Sequence, residues 1–183
     1  MALRICVFVC LFATPLAAQD ALCPPAPDIS AEAEPIYRAL KDAPDEASAR
    51  TLSNDLWALW TIAPDQLAQE LLNEGMDRRA AYDFEGAMIA FDTLTDYCPA
   101  YAEGYNQRAF VHYLRQDFGS ALEDLDRVLA LSPQHIGALS GRALTLMGLG
   151  RMEEGQAALR GALALNPWLP ERGLLMGTPE IDL

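Results

Sequence analysis

Three equally spaced prolines constrain the fold of this chain more than any other feature. Pro99, Pro133 and Pro167 follow one another at intervals of 34 residues. Self-similarity at a fixed period of this size is typical of solenoids built from stacked supersecondary units. Because proline cannot continue a helix without losing a hydrogen bond and clashing, each proline marks the end of a unit. The spacing predicts three consecutive units at residues 68–101, 102–135 and 136–169.

The three units agree where two packed helices must approach each other. In each first helix, a large apolar residue is followed four positions later by a small one, and in each second helix a similar pair is three positions apart. A bulkier side chain at the small positions would overpack the helix crossing. The pairs are Leu71 and Gly75, Tyr105 and Ala109, Leu139 and Ala143, then Phe84 and Ala87, Phe118 and Ala121, Met152 and Gly155.

This pattern resembles the tetratricopeptide repeat family, although Met152 and Gly155 replace its usual aromatic residue and alanine. The resemblance covers residues 68–169. It implies an all-α fold, a right-handed superhelical α-solenoid of antiparallel helix pairs. The residues at the family's aromatic, small, apolar and proline positions in the second unit are Tyr105, Ala109, Phe118, Ala121, Leu125 and Pro133.

Upstream of the clear units, residues 29–64 are predicted to form a degenerate fourth helix pair. The apolar side of its second helix is expected to cover the exposed face of the first clear unit, since a repeat buries its faces only against neighbours. Trp57 and Trp60 are interpreted as core and capping residues, with a ligand site as the alternative. Downstream, residues 170–183 are expected to form a cap or tail. Trp168, Leu169, Leu174 and Leu175 are predicted to fold back over the end of the array, or else to mark a partner or dimer surface.

The first residues indicate export. Residues 1–18 combine a positive start, the apolar run 5–12 and a small-residue stretch, which is typical of a secretory signal peptide. The alternative, a permanent transmembrane anchor, is disfavoured because such a run is far shorter than the roughly 20 residues needed to span a bilayer. We expect an exported protein, periplasmic or secreted, with no stable membrane span after cleavage and a Pro-rich lead-in at residues 19–28.

Export changes how the cysteines are interpreted. Cys6 and Cys10 would leave with the signal peptide, and Cys23 and Cys98 would remain as an even pair in a compartment that permits oxidation. A Cys23–Cys98 disulfide is therefore predicted. Two unrelated thiols, or a lipid anchor on Cys23, are the alternatives.

Composition excludes several classes of function. The chain has 26 acidic and 13 basic residues and a formal charge of −13, which repels phosphate backbones and so disfavours nucleic-acid binding. His112 and His135 have no neighbouring nucleophile or metal-ligand spacing, so we expect no enzyme activity, metal or cofactor. Acidic pairs such as Glu123–Asp124 are expected to face solvent on the second helices.

The resemblance also implies where a partner binds. In tetratricopeptide arrays the first helices line a concave groove that receives a segment of another protein. The alternative for some of these groove side chains is that they only pack one repeat against the next. The expected groove residues are Asn73, Met76, Arg79, Asn106, Phe110, Tyr113, Ser140, Leu144 and Met147.

The partner predicted from this groove is an apolar or aromatic-bearing peptide. Relatives that grip a C-terminal carboxylate use lysines, an arginine and asparagines at set positions, and those positions lack them here. The corresponding residues are Leu72, Met76, Gln107, Gly137 and Gly141. We therefore expect a non-catalytic adaptor; the alternative is a structural subunit of a cell-envelope assembly that uses its end faces, Trp57/Trp60 or Trp168/Leu174/Leu175. Oligomeric state is not predicted.

Overall fold

A computed structural model describes residues 23–177, which form eight α-helices and one short 3₁₀ helix. The all-α repeat fold predicted from the sequence is confirmed. The expected signal peptide at residues 1–18 lies outside the described residues, as do residues 178–183 of the predicted tail. The helices are α1 (Ser30–Lys41), α2 (Glu46–Trp60), α3 (Gln66–Ala80), α4 (Phe84–Tyr97), α5 (Ala102–Leu114), α6 (Phe118–Leu131), α7 (Ile136–Gly148) and α8 (Met152–Leu165), followed by the 3₁₀ helix Pro170–Leu174.

Four of the eight α-helices begin after an aspartate cap. In four helices the capping carboxylate accepts a hydrogen bond from the backbone N–H three residues further on, which satisfies a donor that the helix itself cannot pair. Helix α7 uses the His135 ring in the same way, with the Ala138 N–H as donor. The four aspartates are Asp45, Asp65, Asp83 and Asp117.

The turn inside each repeat has the same backbone geometry. Tyr82 and Gln116 have φ angles of 61°, and Gly150 has a φ of 75°. These positions are 34 residues apart, and each lies in the left-handed region that glycine adopts without steric cost. The period read from the sequence therefore extends to individual backbone angles, although only the third repeat has glycine at this position.

The helix crossings explain the small residues. A Cβ atom on Gly75 would lie 2.3 Å from the Phe91 ring, which is fully buried. In the second repeat the corresponding residues are Ala109 and Leu125, which share a buried cluster. Compared with the second repeat, the first repeat has a larger residue on its second helix, Phe91 instead of leucine, and a smaller one on its first helix, Gly75 instead of alanine.

The N-terminal pair is not placed as predicted. Helices α1 and α2 do not stack on the first clear repeat alone; α1 packs on α8, and the pair shares a buried cluster with Ile136, Ala162 and Leu169 of the third repeat. Two polar contacts hold the same end: the Trp168 Nε1–H donates to the Ala43 carbonyl at 3.1 Å, and Arg172 pairs with Glu46 at 2.9 Å. Helical periodicity identifies an apolar face, but it does not specify which other face it packs against.

The Pro-rich lead-in contacts the first repeat instead. The predicted Cys23–Cys98 disulfide is present, with a Cα–Cα distance of 5.2 Å. Cys23 and Ala26 pack against the buried cluster of the first repeat. The chain is therefore fixed to the first repeat at residue 23 by the disulfide, and at the end of α2 by a hydrogen bond from Tyr101 to the Trp60 carbonyl. Helices α1 and α2, which lie between these two points, reach the third repeat.

The C-terminal segment is divided between burial and exposure. Trp168 and Leu169 pack against the N-terminal pair, whereas Leu174 and Leu175 are 49% and 41% exposed. The Gln156 side chain fixes this segment through bonds to the Leu174 carbonyl and the Met176 N–H. None of the helices in residues 23–177 has both the length and the apolar character needed to cross a lipid bilayer.

An ion network corrects the expectation for Asp124. This carboxylate does not face solvent: it is 6% exposed and accepts two hydrogen bonds from Arg108, at 2.8 and 2.7 Å. Arg108 also pairs with Asp92, so the network joins α4, α5 and α6. The hydrogen bonds to Asp124 raise the pKa of Arg108 well above its ordinary value. Asp124 faces α5 because its position on α6 places it beside the crossing of these two helices. The presence of two adjacent acidic residues in the sequence does not reveal this orientation.

Candidate functional site

A cavity of about 410 Å³ lies between α2 and the first helices of the repeats. Its walls come from α2 on one side, from α5 and α7 on the other, and from Arg79 of α3 and residues 169–171 at the edges. The volume is in the range of small-ligand and side-chain binding sites, roughly 300–1,000 Å³. Six of the nine predicted groove residues line it: Arg79, Asn106, Phe110, Tyr113, Ser140 and Leu144.

The other three predicted groove residues lie elsewhere. Asn73 is exposed, and its side-chain oxygen accepts a hydrogen bond from Gln69. Met76 packs against the buried cluster of the first repeat. Met147 is half-buried beside Gly155, on which a Cβ atom would lie 2.7 Å from the Met147 side chain. The structure thus brings together five predicted groove residues of the second and third repeats and Arg79 of the first.

Helix α2 forms one wall of this cavity. Trp57 and Trp60 were interpreted as core and capping residues, with a ligand site as the alternative. Both line the cavity, together with Ser53 and Leu56, and Trp60 also packs against the buried cluster of the N-terminal pair. Trp57 is 48% exposed. The two tryptophans were the only sequence signal of this wall, and the fold-back of the N-terminal pair is what places them here.

Corresponding residues of the three repeats hold α2 in place. Tyr101, His135 and Leu169 are 34 residues apart along the chain. The Tyr101 hydroxyl donates to the Trp60 carbonyl at 2.8 Å, His135 stacks on the Trp60 ring with centroids 3.9 Å apart, and Leu169 shares a buried cluster with α2. Helix α2 therefore crosses the same turn of three successive repeats.

A buried network under one side of the cavity fixes several polar side chains. Glu103, 2% exposed, accepts hydrogen bonds from Gln107 at 2.5 Å and from Asn106, and lies 2.9 Å from His135 Nε2. Because His135 Nδ1 accepts the Ala138 N–H at 3.2 Å, the ring proton is on Nε2 and is donated to Glu103. Both ring nitrogens of His135 are occupied by structural contacts.

Two glycines keep the opposite wall thin. Gly137 and Gly141 of α7 both line the cavity. A Cβ atom on Gly141 would come within 3.2 Å of Leu125, and one on Gly137 within 3.4 Å of the His135 ring. Side chains at these two positions would narrow the space beside α7, and glycine leaves that space open.

Four lining side chains outside α2 have a buried polar atom with no hydrogen-bond partner among residues 23–177. They are Arg79 (Nε), Gln107 (Oε1), Thr145 (Oγ1) and Glu171 (Oε2). Gln107 is 4% exposed and Thr145 is fully buried. Buried polar atoms in native proteins are normally paired with protein, ordered water or a ligand, so four such atoms around one cavity make it a candidate site for a polar ligand or ordered water.

Arg79 is the positively charged residue that lines the cavity. Its guanidinium lies over the Phe110 ring, 4.6 Å from the centroid, and forms no ion pair within the part of the chain that is described. Burial lowers the pKa of Arg79, and the Glu103 carboxylate opposes this shift. No group of three or more possible metal ligands occurs among residues 23–177.

Comparisons with known proteins agree with this architecture. No family model matches the chain. A tetratricopeptide repeat protein 36 homolog from Nematostella vectensis is 41% identical over 76 residues, which are 42% of this chain and 41% of that protein. Tetratricopeptide repeat protein 36 from Xenopus tropicalis is 30% identical over 70% of this chain and 66% of its own length. A TPR repeat-containing protein from Rhizobium etli is 28% identical over 63% of this chain and 56% of its own length.

Solved structures show the same architecture. The Arabidopsis OM64 TPR domain superposes with a TM-score of 0.57 at 19% identity, covering 59% of this chain and 89% of that domain. The fold is a tetratricopeptide-repeat solenoid. A MamA structure matches with a TM-score of 0.51 at 16% identity over 82% of this chain and 81% of its own. The names of the sequence relatives and of the structural neighbours support membership of the tetratricopeptide-repeat family.

One further neighbour is a peptide complex. The first TPR of Spaghetti (RPAP3) bound to the HSP90 peptide SRMEEVD has a TM-score of 0.54 at 22% identity, covering 55% of this chain and 79% of its own. The chain spans 41% and 56% of the lengths of two of its curated relatives, so those comparisons concern only part of each relative.

Proposed function

We propose that this protein is a non-catalytic interaction module that binds a segment of another polypeptide in the cavity between α2 and the first helices of its repeats. The observation that carries the proposal is the pair of aromatic side chains in the cavity, Trp57 from α2 and Phe110 from α5. They are 48% and 44% exposed. Aromatic residues left accessible in a concave, mostly apolar site are typical anchors for a ligand.

The fold supports a polypeptide as the ligand. Its structural neighbours include TPR domains in complex with HSP90 and Hsp70 peptides. Those peptides are the ligands of those proteins, and only the class of ligand is proposed here. In this chain α2 forms one wall of the site, so a segment would be enclosed on two sides rather than laid in an open groove.

Two features favour binding over catalysis. Both ring nitrogens of His135 are occupied, by Glu103 and by the Ala138 N–H. The other histidine, His112, lies 3.1 Å from the Asp117 carboxylate, which caps α6. Each histidine therefore has a structural contact, and neither lines the cavity.

We also propose that the protein acts after export, in the periplasm or outside the cell. The Cys23–Cys98 disulfide supports this location, since disulfides persist in oxidising compartments. A role as a structural subunit of an envelope assembly has less support. Of the residues assigned to that role, Trp60 and Trp168 are engaged within the chain by His135 and by the Ala43 carbonyl. Trp57, Leu174 and Leu175 are exposed, but Trp57 lines the cavity.

Affinity capture from the exported fraction tests the proposal. The bait is the chain without residues 1–18, compared with Trp57→Ala and Phe110→Ala variants and with Ile89→Ala as control. Ile89 is 63% exposed on α4 and does not line the cavity. Both cavity variants should lose the partner while retaining wild-type helicity by circular dichroism, and the control should keep it. A partner retained by both cavity variants would place binding on another surface and refute the proposed site.

A further inference from the structure

Arg79 is unusual because its charge is neither paired nor fully solvated. The guanidinium is half-buried, and no carboxylate among residues 23–177 lies within ion-pair distance of it. Removing a charge from water without pairing it is unfavourable. Burial accordingly lowers the pKa of Arg79. Arg79 therefore places in the cavity a half-buried charge without an ion-pair partner among residues 23–177, which suits a role in binding.

The carboxylate that acts on Arg79 is already occupied. Glu103 is close enough to act electrostatically on Arg79. Its two oxygens, however, bond the buried Gln107 and His135 and the half-buried Asn106. Glu103 therefore offsets part of the charge but leaves the guanidinium N–H donors free to bind an anion. The Phe110 ring below the guanidinium holds it at the cavity surface.

The rest of the cavity defines the other requirements of the ligand. Trp57 and Phe110 offer apolar surface, while Gln107 Oε1 and Glu171 Oε2 are acceptors without donors. Glu171 lies after the third repeat, and Arg79 lies in the first, so a negative and a positive group are at opposite ends of the row of first helices. A backbone N–H or a basic group suits Glu171, and a carboxylate suits Arg79.

We infer that the bound segment presents an acidic side chain next to a large apolar side chain, and that Arg79 binds the acidic group. This inference rests on the proposed function and specifies the ligand of the same site. The net charge of −13 repels an acidic segment at long range, so a local cation is what allows such a ligand to bind. The site differs from the carboxylate grip of other family members, because the positions used there are occupied here by residues such as Leu72 and Gly137.

A matched pair of fluorescent probes tests the role of charge. The anionic probe is 8-anilinonaphthalene-1-sulfonate, and the neutral probe is N-phenyl-1-naphthylamine, which has the same aromatic body. Both should bind the wild-type protein. Arg79→Met should weaken the anionic probe by about 10-fold or more, since a hydrogen bond to a charged group is lost, and should change the neutral probe less than about 2-fold.

Two control variants separate local from general effects of charge. Arg79→Lys keeps the charge and should retain part of the affinity for the anionic probe. Arg160→Gln removes an exposed charge from α8, away from the cavity, and should change neither probe. Arg79→Met should melt at or above the wild-type temperature, because it removes a half-buried charge that has no ion-pair partner among residues 23–177. A lower melting temperature would show that Arg79 is structural and would overturn the inference.

Competition against the anionic probe identifies the source of the acidic group. The competitors are acetyl-Ala-Trp-Glu-Leu-Ala-amide, its Gln counterpart and indole-3-acetate. Displacement by the Glu peptide but not by its Gln counterpart supports an acidic side chain in a polypeptide. Equal displacement by both peptides, or displacement by indole-3-acetate alone, overturns the inference.

The two proposals fail in different ways. If both probes bind the wild type and Arg79→Met affects them equally, the cavity binds ligands without selecting an anion; the inference then fails and the proposed function stands. If neither probe binds, the cavity is not a ligand site, and both proposals fail.

Discussion

Replacing Gly75 with alanine tests whether the first helix crossing is as close as the structure shows. The new Cβ atom would lie 2.3, 2.6 and 2.7 Å from three atoms of the Phe91 ring. Phe91 is fully buried in the cluster of the first repeat, so the ring has no free space to move into. Something in the crossing must therefore shift when a single methyl group is added.

Two opposing effects set the expected magnitude. Overpacking a well-packed crossing costs about 1–3 kcal/mol, while alanine in place of glycine in a helix interior gains about 1 kcal/mol. We expect a net loss of up to about 2 kcal/mol in the free energy of unfolding. For a chain of this size, a loss of about 2 kcal/mol lowers the melting temperature by about 4–8 °C.

The same substitution elsewhere provides the control. Gly161 lies inside α8, and a Cβ atom there would meet nothing within 4 Å. Gly161→Ala should therefore stabilise the protein by about 0.5–1 kcal/mol through helix propensity alone. Opposite signs for the two variants are expected, although both change glycine to alanine inside a helix.

A double variant tests the cause. Gly75→Ala with Phe91→Leu recreates the Ala109 and Leu125 combination of the second repeat. In urea unfolding, a double-mutant cycle should give a favourable coupling of about 1 kcal/mol or more. A Gly75→Ala variant at least as stable as wild type, or additive effects in the cycle, would refute the close approach on which this reasoning depends.

Two further predictions concern stability. Replacing Cys98 with serine opens a closure of 75 residues, which should lower the free energy of unfolding by up to about 4 kcal/mol in urea titrations; equal stability of the wild type with and without reductant would contradict this. The N-cap carboxylates give a pH dependence. Hydrogen bonds from the residue three positions on lower their pKa values below 3.8, so their contribution is present above about pH 4 and is lost as the pH falls through the folded-state values. An Asp45→Asn variant keeps the cap but cannot titrate, so it should lose less stability than wild type between pH 6 and 3. An equal loss of stability would show that the Asp45 carboxylate does not contribute to the pH dependence.

Much of the repeat region was predictable from local sequence. The prolines and the small residues identify helix ends and crossings, because each acts over one or two turns of chain. The disulfide was also predictable, since only two cysteines remain beyond the expected signal peptide. The period even extends to the left-handed turn at Tyr82, although nothing about tyrosine favours that geometry.

The candidate site was predictable only in part. Reading the repeat register correctly identified first-helix residues, and six of them line the cavity. The register did not reveal the opposite wall, because Ser53, Leu56 and the two tryptophans belong to the degenerate pair outside the periodic region. The sequence placed Arg79 among the groove residues but did not show that it lacks an ion-pair partner among residues 23–177, because that depends on where the carboxylates lie in the fold.

The sequence by itself determined the helices, their order and the geometry within each repeat, because these depend on contacts between residues close along the chain. Only the tertiary structure decided that α2 crosses the turns at Tyr101, His135 and Leu169 and closes a cavity. The contact between Ser53 and Asn166, for example, joins residues 113 positions apart. An apolar helix face can pack against any complementary surface, and shape across the whole fold selects which one it meets.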